Sequence, residues 1–368
     1  MNIAGAVLRN SPSPSPYTDT QPLVVENLKL EEPGPTELLV KIEAAGLCHS
    51  DLSVVNGDRP RPVPMLLGHE ASGIVESVGD AVTDVFTGDR VVLTFLPRCG
   101  ECEACQTDGK LPCERGTTAN ENGTLLSGTD RLRDNSGNQV FHHLGCSAFA
   151  TKAVVDRRSV VPVDQDVPPT VAALLGCAVL TGGGAVLNAG KPNPQDDIIV
   201  VGLGGVGMSA LLVARAVTKG RVIGIDEQLS KLELAKELGA DEVFTPDQAV
   251  KEGTNAPVVI EAAGHPNAFE SAFSLTAPGG ITVTVGLPNP AAVSRISPLT
   301  MTAESRTVVG SYLGSSVPSR DIPRFVEMWR KGKLPLEKLI SSEIALEDLN
   351  GALDALASGQ ALRQIIRL

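Results

Sequence analysis

Four cysteines lie close together in the segment CGECEACQTDGKLPC, which begins at residue 99. Their spacing is C-x2-C-x2-C-x7-C, formed by Cys99, Cys102, Cys105 and Cys113. Four thiolates at this spacing can surround one tetrahedral Zn²⁺ and leave no coordination position open, as in structural zinc sites. An iron–sulfur cluster can use similar cysteine spacing and remains the alternative.

Two more cysteines and one histidine could bind a second metal ion. Cys48 lies in the motif GLCHSD, His69 in GHE and Cys177 in LGC. Two thiolates and one imidazole leave the fourth tetrahedral position of a zinc ion open for water or substrate, which is the ligand count of a catalytic site. The three residues are remote in sequence, and a single Cys or His is more often an ordinary core residue, so spacing alone does not establish this site.

A glycine-rich turn, GLGGVG at residues 202–207, follows an apolar run and precedes an apolar, helix-like stretch. Glycines allow a tight turn and let the backbone approach a pyrophosphate, whose charge is favoured at a helix N-terminus. On its own the turn could be a simple strand-to-helix connection. Asp226 ends the next strand-like run, 24 positions after Gly202, close to the roughly 20 expected of an acid that binds ribose hydroxyls. Its carboxylate would repel a 2′-phosphate, and Glu227 adds negative charge, so NAD is favoured over NADP.

The elements around this turn alternate between two kinds. From about residue 193 onward, short β-branched runs alternate with helical patterns, which predicts parallel βαβ units. The strand-like runs are 198–201, 222–225, 258–260 and 281–285. A helix predicted at 230–238 stops at Gly239, a residue suited to a left-handed helix end.

The rest of the chain is patterned differently. Before residue 193, strand-like runs separated by Gly and Pro predict a mainly β region, at 38–42, 73–78 and 90–93. After about residue 313, one helix is predicted to open at Pro323, and a second carries four leucines on one face and ends at Gly359. The final IIRL segment is predicted to be a strand that rejoins the first domain.

Composition limits the possible functions. The chain has 368 residues, about twice the roughly 100 to 200 of one domain. Its net charge of −12, without a long basic run, disfavours nucleic-acid and anionic membrane partners. Seven cysteines, an odd number, fit metal binding in a reducing compartment better than a disulfide framework, and the N-terminus lacks a signal-peptide pattern, which predicts a cytoplasmic protein. The uncharged stretches at 167–190 and 198–214 contain Pro or Gly and are predicted to be buried, soluble structure broken by turns.

Together these motifs make the chain similar, over essentially its whole length, to the zinc-dependent alcohol dehydrogenases of the medium-chain dehydrogenase/reductase family. The resemblance rests on GLCHSD, GHE, the four-cysteine lobe, the isolated GC, GLGGVG and the closing SGQALRQII. It implies an α/β fold with a Rossmann-type doubly wound parallel sheet domain at 179–313, which binds NAD. A mainly β GroES-like catalytic domain with two zinc sites would comprise residues 1–178 and 314–368.

The resemblance also implies roles for the metal-site residues. Cys48, His69 and Cys177 would bind a catalytic zinc, with Glu70 as a carboxylate near the metal, and the four clustered cysteines a structural zinc. Ser50 would take the alcohol proton, and Asp51 would hydrogen-bond His69 from behind. Cys146 matches no ligand and is interpreted as an ordinary buried thiol.

Further roles implied by the resemblance concern the cofactor and the substrate. His49 and Arg363 would contact the pyrophosphate, and Lys231 the adenosine ribose. The residues of the pyrophosphate-binding turn would be Gly202, Gly204, Gly205, Val206 and Gly207. Four residues match positions that line the substrate channel in relatives, although each could equally be plain core: Phe95, Leu144, Leu287 and Tyr312.

The implied activity is the reversible oxidation of an alcohol to an aldehyde or ketone, with hydride transfer to NAD. Ser53 stands where many relatives carry a histidine three positions after the relay hydroxyl, so we expect the proton to leave through water or another group. The segment 117–142, predicted to be a long surface loop, resembles in length the lobe of dimeric relatives and predicts a homodimer joined through the cofactor domains.

Two other functions remain open at the level of sequence. A thiol-dependent formaldehyde dehydrogenase, acting on a glutathione or mycothiol adduct, could use Asp58, Arg59 and Arg61 to bind a charged conjugate, although solvated loop charges explain them as well. A non-catalytic zinc and NAD binding protein, serving as a redox sensor, is disfavoured by the intact set of Cys48, His69, Cys177 and Ser50.

Overall fold

The computed structural model describes all residues from 1 to 368, which divide into two compact units. The first unit comprises Met1–Thr107, Leu111–Cys177 and Ile340–Leu368, and the second comprises Asp108–Lys110 and Ala178–Leu339. Residues 314–339, which the sequence assigned to the first domain, therefore lie in the second unit.

Packing explains why the second unit continues beyond residue 313. The ring of Phe325 lies so close to Gly183 that a Cβ at the glycine would be 2.6 Å from it. The Gly314 carbonyl lies equally close to Gly184, where a Cβ would be 2.4 Å from the oxygen. The segment after residue 313 is thus held against a glycine run of the second unit, through contacts that its helical pattern does not reveal.

The chain forms eighteen strands and twelve α-helices. The strands are β1 (Asn2–Leu8), β2 (Leu23–Leu30), β3 (Glu37–Leu47), β4 (Met65–Leu66), β5 (Ala71–Val78), β6 (Arg90–Leu93), β7 (Leu132–Arg133), β8 (Phe141–His142), β9 (Lys152–Asp156), β10 (Val160–Val163), β11 (Ile198–Val201), β12 (Val222–Ile225), β13 (Glu242–Phe244), β14 (Ala256–Glu261), β15 (Thr276–Thr284), β16 (Thr307–Gly310), β17 (Ile340–Ile344) and β18 (Arg363–Arg367). The helices are α1 (Tyr17–Thr20), α2 (His49–Val55), α3 (Glu114–Asn122), α4 (Pro169–Leu174), α5 (Leu180–Gly184), α6 (Gly205–Val217), α7 (Leu229–Glu237), α8 (Pro246–Lys251), α9 (Pro266–Ser274), α10 (Pro298–Ala303), α11 (Pro318–Arg330) and α12 (Leu349–Ala357).

The first unit is mainly β, as predicted. One of its sheets has the strand order β7-β2-β1-β4-β8, and the other has β10-β6-β5-β3-β18-β17 with β9 also paired to β3. The last strand, β18, pairs antiparallel with β3, so the C-terminal segment returns to this unit. Alternate residues of β3, including Leu38, Val40 and Ile42, pack with Leu349 and Leu353 of α12 in one buried core.

The second unit contains a six-stranded sheet in the order β13-β12-β11-β14-β15-β16, and all its neighbouring strands are parallel. Numbered within the unit this order is 3-2-1-4-5-6, the Rossmann order of a doubly wound sheet. The strands β11 and β12 have the predicted bounds, and α7 is followed by Gly239 in the left-handed region (φ 101°). The predicted α/β fold class is thus confirmed.

The long apolar stretch before the second sheet is not broken by turns, which corrects the sequence prediction. Residues 169–190 are helical throughout, because π-helical stretches at Leu175–Val179 and Ala185–Gly190 continue α4 and α5. The three glycines at 182–184 provide close packing rather than a turn; a Cβ at Gly182 would lie 2.1 Å from the Val206 carbonyl oxygen. By length and composition this helix could cross a membrane, but 89% of its most apolar window is buried inside the structure.

Two further local predictions were wrong. Helix α11 opens at Pro318, and Pro323 lies inside it. The helix continues past Pro323, despite one lost hydrogen bond, because Ile322, Phe325 and Val326 bury its apolar face. The segment 117–142 is not wholly a surface loop, since it contains most of α3 and the strands β7 and β8.

Candidate active site

Cys48 and His69, the first two candidate metal ligands along the chain, are each positioned by the backbone around them. Cys48 follows β3 and caps α2, and its backbone N–H donates to Asp51 Oδ2 over 3.0 Å. His69 follows Gly68, whose φ of 93° only glycine adopts readily. A Cβ at Gly68 would lie 2.4 Å from the Phe149 backbone nitrogen. The GHE motif therefore needs its glycine so that His69 can turn into the interior.

Cys48, His69, Glu70 and Cys177 form a buried cluster whose potential ligand atoms all lie within 4.8 Å of one another. His69 Nδ1 lies 3.0 Å from Asp51 Oδ1, and both side chains are fully buried. A carboxylate at Nδ1 directs the lone pair of the imidazole to Nε2, and His69 Nε2 is buried without a hydrogen-bond partner. Two thiols and an unpaired imidazole nitrogen are ligands that zinc prefers. The cluster therefore fits a zinc ion.

Charges in the cluster favour a cation between its donors. The pKa of Cys48 falls well below its usual value, because of a hydrogen bond with Cys177 and the nearby His69, although burial opposes the shift. The pKa of Cys177 rises well above its usual value, through that same hydrogen bond and through burial. Burial would lower the pKa of His69, but the Asp51 carboxylate outweighs it and raises the pKa well above 6.5. The same negative groups would stabilise a divalent ion.

Glu70 and Arg363 form a buried ion pair beside this cluster. Burial raises the pKa of Glu70, although the Arg363 guanidinium opposes the shift. Arg363 is only 3% exposed and lies on β18, next to β3. A Cβ at Gly46 would be 2.5 Å from Glu70 Oε1, so the glycine makes room for the pair. The contact of Arg363 with a pyrophosphate stays a prediction.

The side chains of α2 near the cluster differ in their surroundings. His49 is exposed and Ser50 is half-buried, one and two positions after Cys48. The hydroxyl of Ser53 donates to the His49 carbonyl over 2.7 Å. The Ser53 hydroxyl therefore already donates its proton to a hydrogen bond within α2.

The four clustered cysteines also meet at one point. Their sulfur atoms lie within 4.8 Å of one another, with 3.9 Å between Cys99 and Cys105 and 4.0 Å between Cys102 and Cys113. Four thiolates about 2.3 Å from one tetrahedral zinc would be about 3.8 Å apart. Backbone N–H groups of Cys99 and Gly116 point at Cys113 Sγ over 3.3 Å each. This spacing fits a single ion, whereas a cluster with one iron per cysteine would hold the sulfurs farther apart.

The glycine-rich turn of the second unit has the features of an anion site. Gly202 has a φ of 87°, and a Cβ at Gly207 would lie 1.8 Å from the Gly202 carbonyl oxygen. A Cβ at Gly204 would meet nothing within 4 Å. Helix α6 begins at Gly205 without a side-chain cap. Its first backbone N–H groups, including that of Val206, are therefore available to a ligand.

Asp226 lies directly against this turn. Its Oδ2 accepts from the Leu203 N–H over 2.7 Å, and its Oδ1 accepts from the Gln228 N–H over 2.9 Å. Lys231 Nζ lies 3.9 Å from Asp226 Oδ2. The residues of the second unit that were predicted to bind the cofactor therefore all lie in or beside the glycine-rich turn.

The predicted substrate residues divide between the units. The Phe95 ring stands edge-on to His69, with 5.8 Å between ring centroids. Leu144 is buried and has a φ of 51°, a left-handed conformation that is rare for leucine. Leu287 and Tyr312 belong to the second unit and are 49% and 39% exposed, and their role in a channel stays a prediction.

One residue near the cluster was missed by sequence reasoning. The His143 ring stands edge-on to His69 with 5.5 Å between centroids, and its Nδ1 lies 3.3 Å from Asp51 Oδ1. His143 is 1% exposed. Burial lowers its pKa, although Asp51 opposes the shift. The only signal in the sequence was its position directly before Leu144.

Comparison with known proteins extends the similarity to nearly the whole chain. Residues 34–165 match the family "Alcohol dehydrogenase GroES-like domain", and residues 205–331 match "Zinc-binding dehydrogenase". Alcohol dehydrogenase 1 of Pisum sativum is 34% identical over 359 residues, which cover 95% of this chain and 94% of the pea protein.

Two solved structures have the same fold over their full length. A protein from Burkholderia ambifaria described as "Alcohol dehydrogenase zinc-binding domain protein" superposes with a TM-score of 0.93 at 30% identity, covering 100% of this chain and 99% of that one. Benzyl alcohol dehydrogenase from Acinetobacter calcoaceticus superposes with a TM-score of 0.89 at 32% identity and the same coverage.

Proposed function

The chain belongs to the zinc-binding alcohol dehydrogenases of the medium-chain dehydrogenase/reductase family and is an oxidoreductase that acts on small-molecule alcohols, and we propose that it oxidises them reversibly to aldehydes or ketones with NAD as hydride acceptor. The observation that carries this proposal is the buried cluster of Cys48, His69 and Cys177, in which His69 Nε2 lacks a partner. These three residues would hold the catalytic zinc, and Glu70 lies with them.

When bound, zinc would polarise the alcohol oxygen and acidify its hydroxyl, and the nicotinamide ring would accept the hydride. The chain's own part is to hold, orient and deprotonate. Asp51 keeps the proton of His69 on Nδ1, 3.0 Å away, and so orients the imidazole. Arg363 neutralises Glu70 beside the cluster, which keeps a second buried carboxylate from remaining unpaired.

Proton removal is assigned to Ser50. Its hydroxyl can accept the proton of the alcohol and release its own hydrogen, since a hydroxyl both accepts and donates. Ser53 does not carry the proton further from Ser50, because its hydroxyl donates a hydrogen bond to the His49 carbonyl. Water is the expected next acceptor, and the exposed His49 is proposed to contact the cofactor pyrophosphate with Arg363.

The choice of NAD is supported by Asp226. Each of its carboxylate oxygens already accepts one backbone N–H and keeps lone pairs for the two ribose hydroxyls. A 2′-phosphate at this position would meet that negative charge. Lys231 is proposed to reach the same ribose, and the open backbone of Gly204 to take the pyrophosphate.

Three further properties are proposed. The four-cysteine site would give each chain a second, structural zinc, so that two ions are bound. A homodimer would form through the second unit, in which β16 is an edge strand with partly exposed residues. Seven cysteines without a disulfide support a cytoplasmic location.

The test combines turnover with metal counting. The purified protein should reduce NAD with an alcohol such as benzyl alcohol, should prefer NAD to NADP, and should carry two zinc ions. Cys177→Ser should lose turnover and one zinc, while Cys146→Ala, a buried thiol outside both clusters, should keep both. Turnover that survives in Cys177→Ser would refute the catalytic site, and a preference for NADP would refute the cofactor assignment.

The same assay separates the alternatives. Formaldehyde oxidation that depends on glutathione or mycothiol would favour the thiol-dependent enzyme. A protein that binds zinc and NAD but oxidises no alcohol would favour the non-catalytic alternative, such as a redox sensor or a structural subunit.

A further inference from the structure

Glu261 is a buried carboxylate of the second unit to which the proposed mechanism gives no role. It is the last residue of β14, at the carboxyl end of the six-stranded parallel sheet, and it is 1% exposed. A carboxylate in the interior is costly unless its oxygens accept hydrogen bonds. The partners of Glu261 therefore indicate which segments it holds.

The hydrogen bonds of Glu261 join two neighbouring strands at their carboxyl ends. Its Oε1 accepts from the backbone N–H groups of Ala263 and Gly264 over 2.8 and 2.7 Å, within residues 262–264, the β14 loop. Its Oε2 accepts from the hydroxyl of Thr284, the last residue of β15, over 2.6 Å. Residues 285–287, the β15 loop, follow directly. One side chain thus fixes the backbone at the ends of both strands.

The two loops also touch each other through glycine backbone. A Cβ at Gly286 would lie 2.2 Å from the Gly264 nitrogen, and a Cβ at Gly264 would lie 2.9 Å from the Leu287 nitrogen. The N–H of Gly264 is one of the two that Glu261 Oε1 accepts. Loss of the carboxylate would therefore release the backbone at the point where the β14 and β15 loops meet.

The place of these loops in the sheet indicates what they face. The strand order β12-β11-β14-β15 puts them on the opposite side of β11 from Asp226, which is proposed to bind the adenosine ribose. A dinucleotide lies across the carboxyl ends of such a sheet, with its pyrophosphate at the turn after the first strand. The nicotinamide half would then lie over β14 and β15. A ligand can reach this edge, because Ala263 and Leu287 are exposed.

The pyrophosphate turn has supports that do not involve the Glu261 side chain. The Gly202 N–H donates to the Ile225 carbonyl over 2.8 Å, and the Ala262 N–H donates to the Val201 carbonyl over 2.8 Å. Both are backbone bonds that remain when the carboxylate is removed. The two halves of the proposed cofactor site are therefore held separately.

We propose that Glu261 is a positioning residue for the nicotinamide half of the cofactor, because it holds the β14 and β15 loops in the arrangement on which the nicotinamide ring is seated. This inference rests on the proposed function for the identity of the cofactor. Glu261 acts through the backbone of these loops, since its side chain is buried and both of its oxygens are already bonded at the strand ends.

Two ligands that differ in the nicotinamide ring test this role. NADH carries the ring, whereas ADP-ribose has the adenosine, the pyrophosphate and the second ribose without it. The wild type should bind NADH more tightly than ADP-ribose. Glu261→Ala should reduce this preference at least about fivefold, the factor given by one hydrogen bond of ordinary strength, and should leave the Kd for ADP-ribose unchanged. Calorimetry measures both Kd values without turnover.

Two further variants and a control separate positioning from general stability. Glu261→Gln keeps an oxygen that can accept both backbone N–H groups, so it should restore most of the preference. Thr284→Val removes only the hydroxyl bonded to Oε2 and should reduce the preference less, which tests the proposal even if Glu261→Ala does not fold. Asp197→Ala is the control, because that carboxylate accepts the Arg221 N–H over 2.7 Å at the amino end of the same sheet. Its preference should equal that of the wild type.

The possible results are distinct. Equal changes of both Kd values in the Glu261 and Thr284 variants, or no change in either value, would overturn the proposal. Equal Kd values in the wild type would also overturn it, because the nicotinamide would then have no seat to lose. A wild type that binds neither ligand would refute the proposed cofactor and this inference with it. The expected shift in a protein that oxidises no alcohol would support the role of Glu261 and refute only the proposed activity.

Discussion

Asp51 Oδ1 faces two imidazoles at once, with His69 Nδ1 at 3.0 Å and His143 Nδ1 at 3.3 Å. Asp51 is fully buried, yet these histidines outweigh the effect of burial and bring its pKa down to about 2. One carboxylate therefore stays ionised in the interior, where it is hydrogen-bonded to the His69 ring and lies close to the His143 ring.

Asp51→Asn should weaken metal binding at the adjacent cluster. The amide keeps the size of the side chain but loses the charge that fixes the His69 proton on Nδ1, and such losses cost about 10- to 100-fold in metal affinity. Zinc retained during titration with a chelator measures the effect. Asp247→Asn, at an exposed position of α8, should behave like the wild type. Equal zinc retention in both variants would contradict this role of Asp51.

Cys105→Ser should remove the zinc ion proposed at the four-cysteine site and lower the stability of the segment that carries these cysteines. Replacing one thiolate leaves three sulfur ligands and a weaker hydroxyl, so we expect one zinc per chain and a lower Tm. Zinc analysis and thermal unfolding measure both effects. The Cys48 cluster should keep its metal in this variant, and a protein that still binds two ions would show that the four cysteines do not form a zinc site.

Gly204→Ala should weaken cofactor binding without changing stability. A Cβ at this position meets no protein atom within 4 Å, so the fold tolerates it, but it would occupy the space that a pyrophosphate needs. We expect the Kd for NADH to rise at least about tenfold, as measured by fluorescence titration. Gly351→Ala in α12, where a Cβ would make only an ordinary contact with Thr18 Cγ2 at 3.8 Å, is the control, and an unchanged Kd in Gly204→Ala would place the pyrophosphate elsewhere.

His142 should make the protein less stable in mild acid. Burial lowers its pKa to about 4, although Glu37 opposes the shift, and its Nε2 accepts the Arg131 N–H over 3.1 Å. Between about pH 6.5 and 4 the unfolded chain takes up a proton that the folded chain excludes. Stability present above pH 6.5 is therefore lost as the pH falls, by about 3 kcal/mol at pH 4.

Denaturant midpoints at pH 7, 5.5 and 4.5 test this dependence. The midpoint of the wild type should fall more steeply with pH than that of His142→Gln. Parallel curves would mean that His142 takes up its proton equally in the folded chain.

Local patterns predicted much of the fold and part of the site. The spacing of Cys99 to Cys113 needs only one short segment to close around an ion, and the structure brings these sulfurs together as expected. The strands β6, β11 and β12 have the predicted bounds, because β-branched runs and glycine turns act over a few residues. The start of helix α11 and the unbroken helix at 169–190 were predicted wrongly, because packing overrode the local preferences of Pro and Gly.

The sequence by itself thus determined the types of chemical group present and the local elements that carry them. Only the tertiary structure decided which remote groups meet: Glu70 with Arg363 across 293 positions, and His143 with Asp51. The physical reason is that a charge or imidazole in the interior must find a compensating partner, and that partner comes from whichever segment the sheets bring near. No local pattern records that choice.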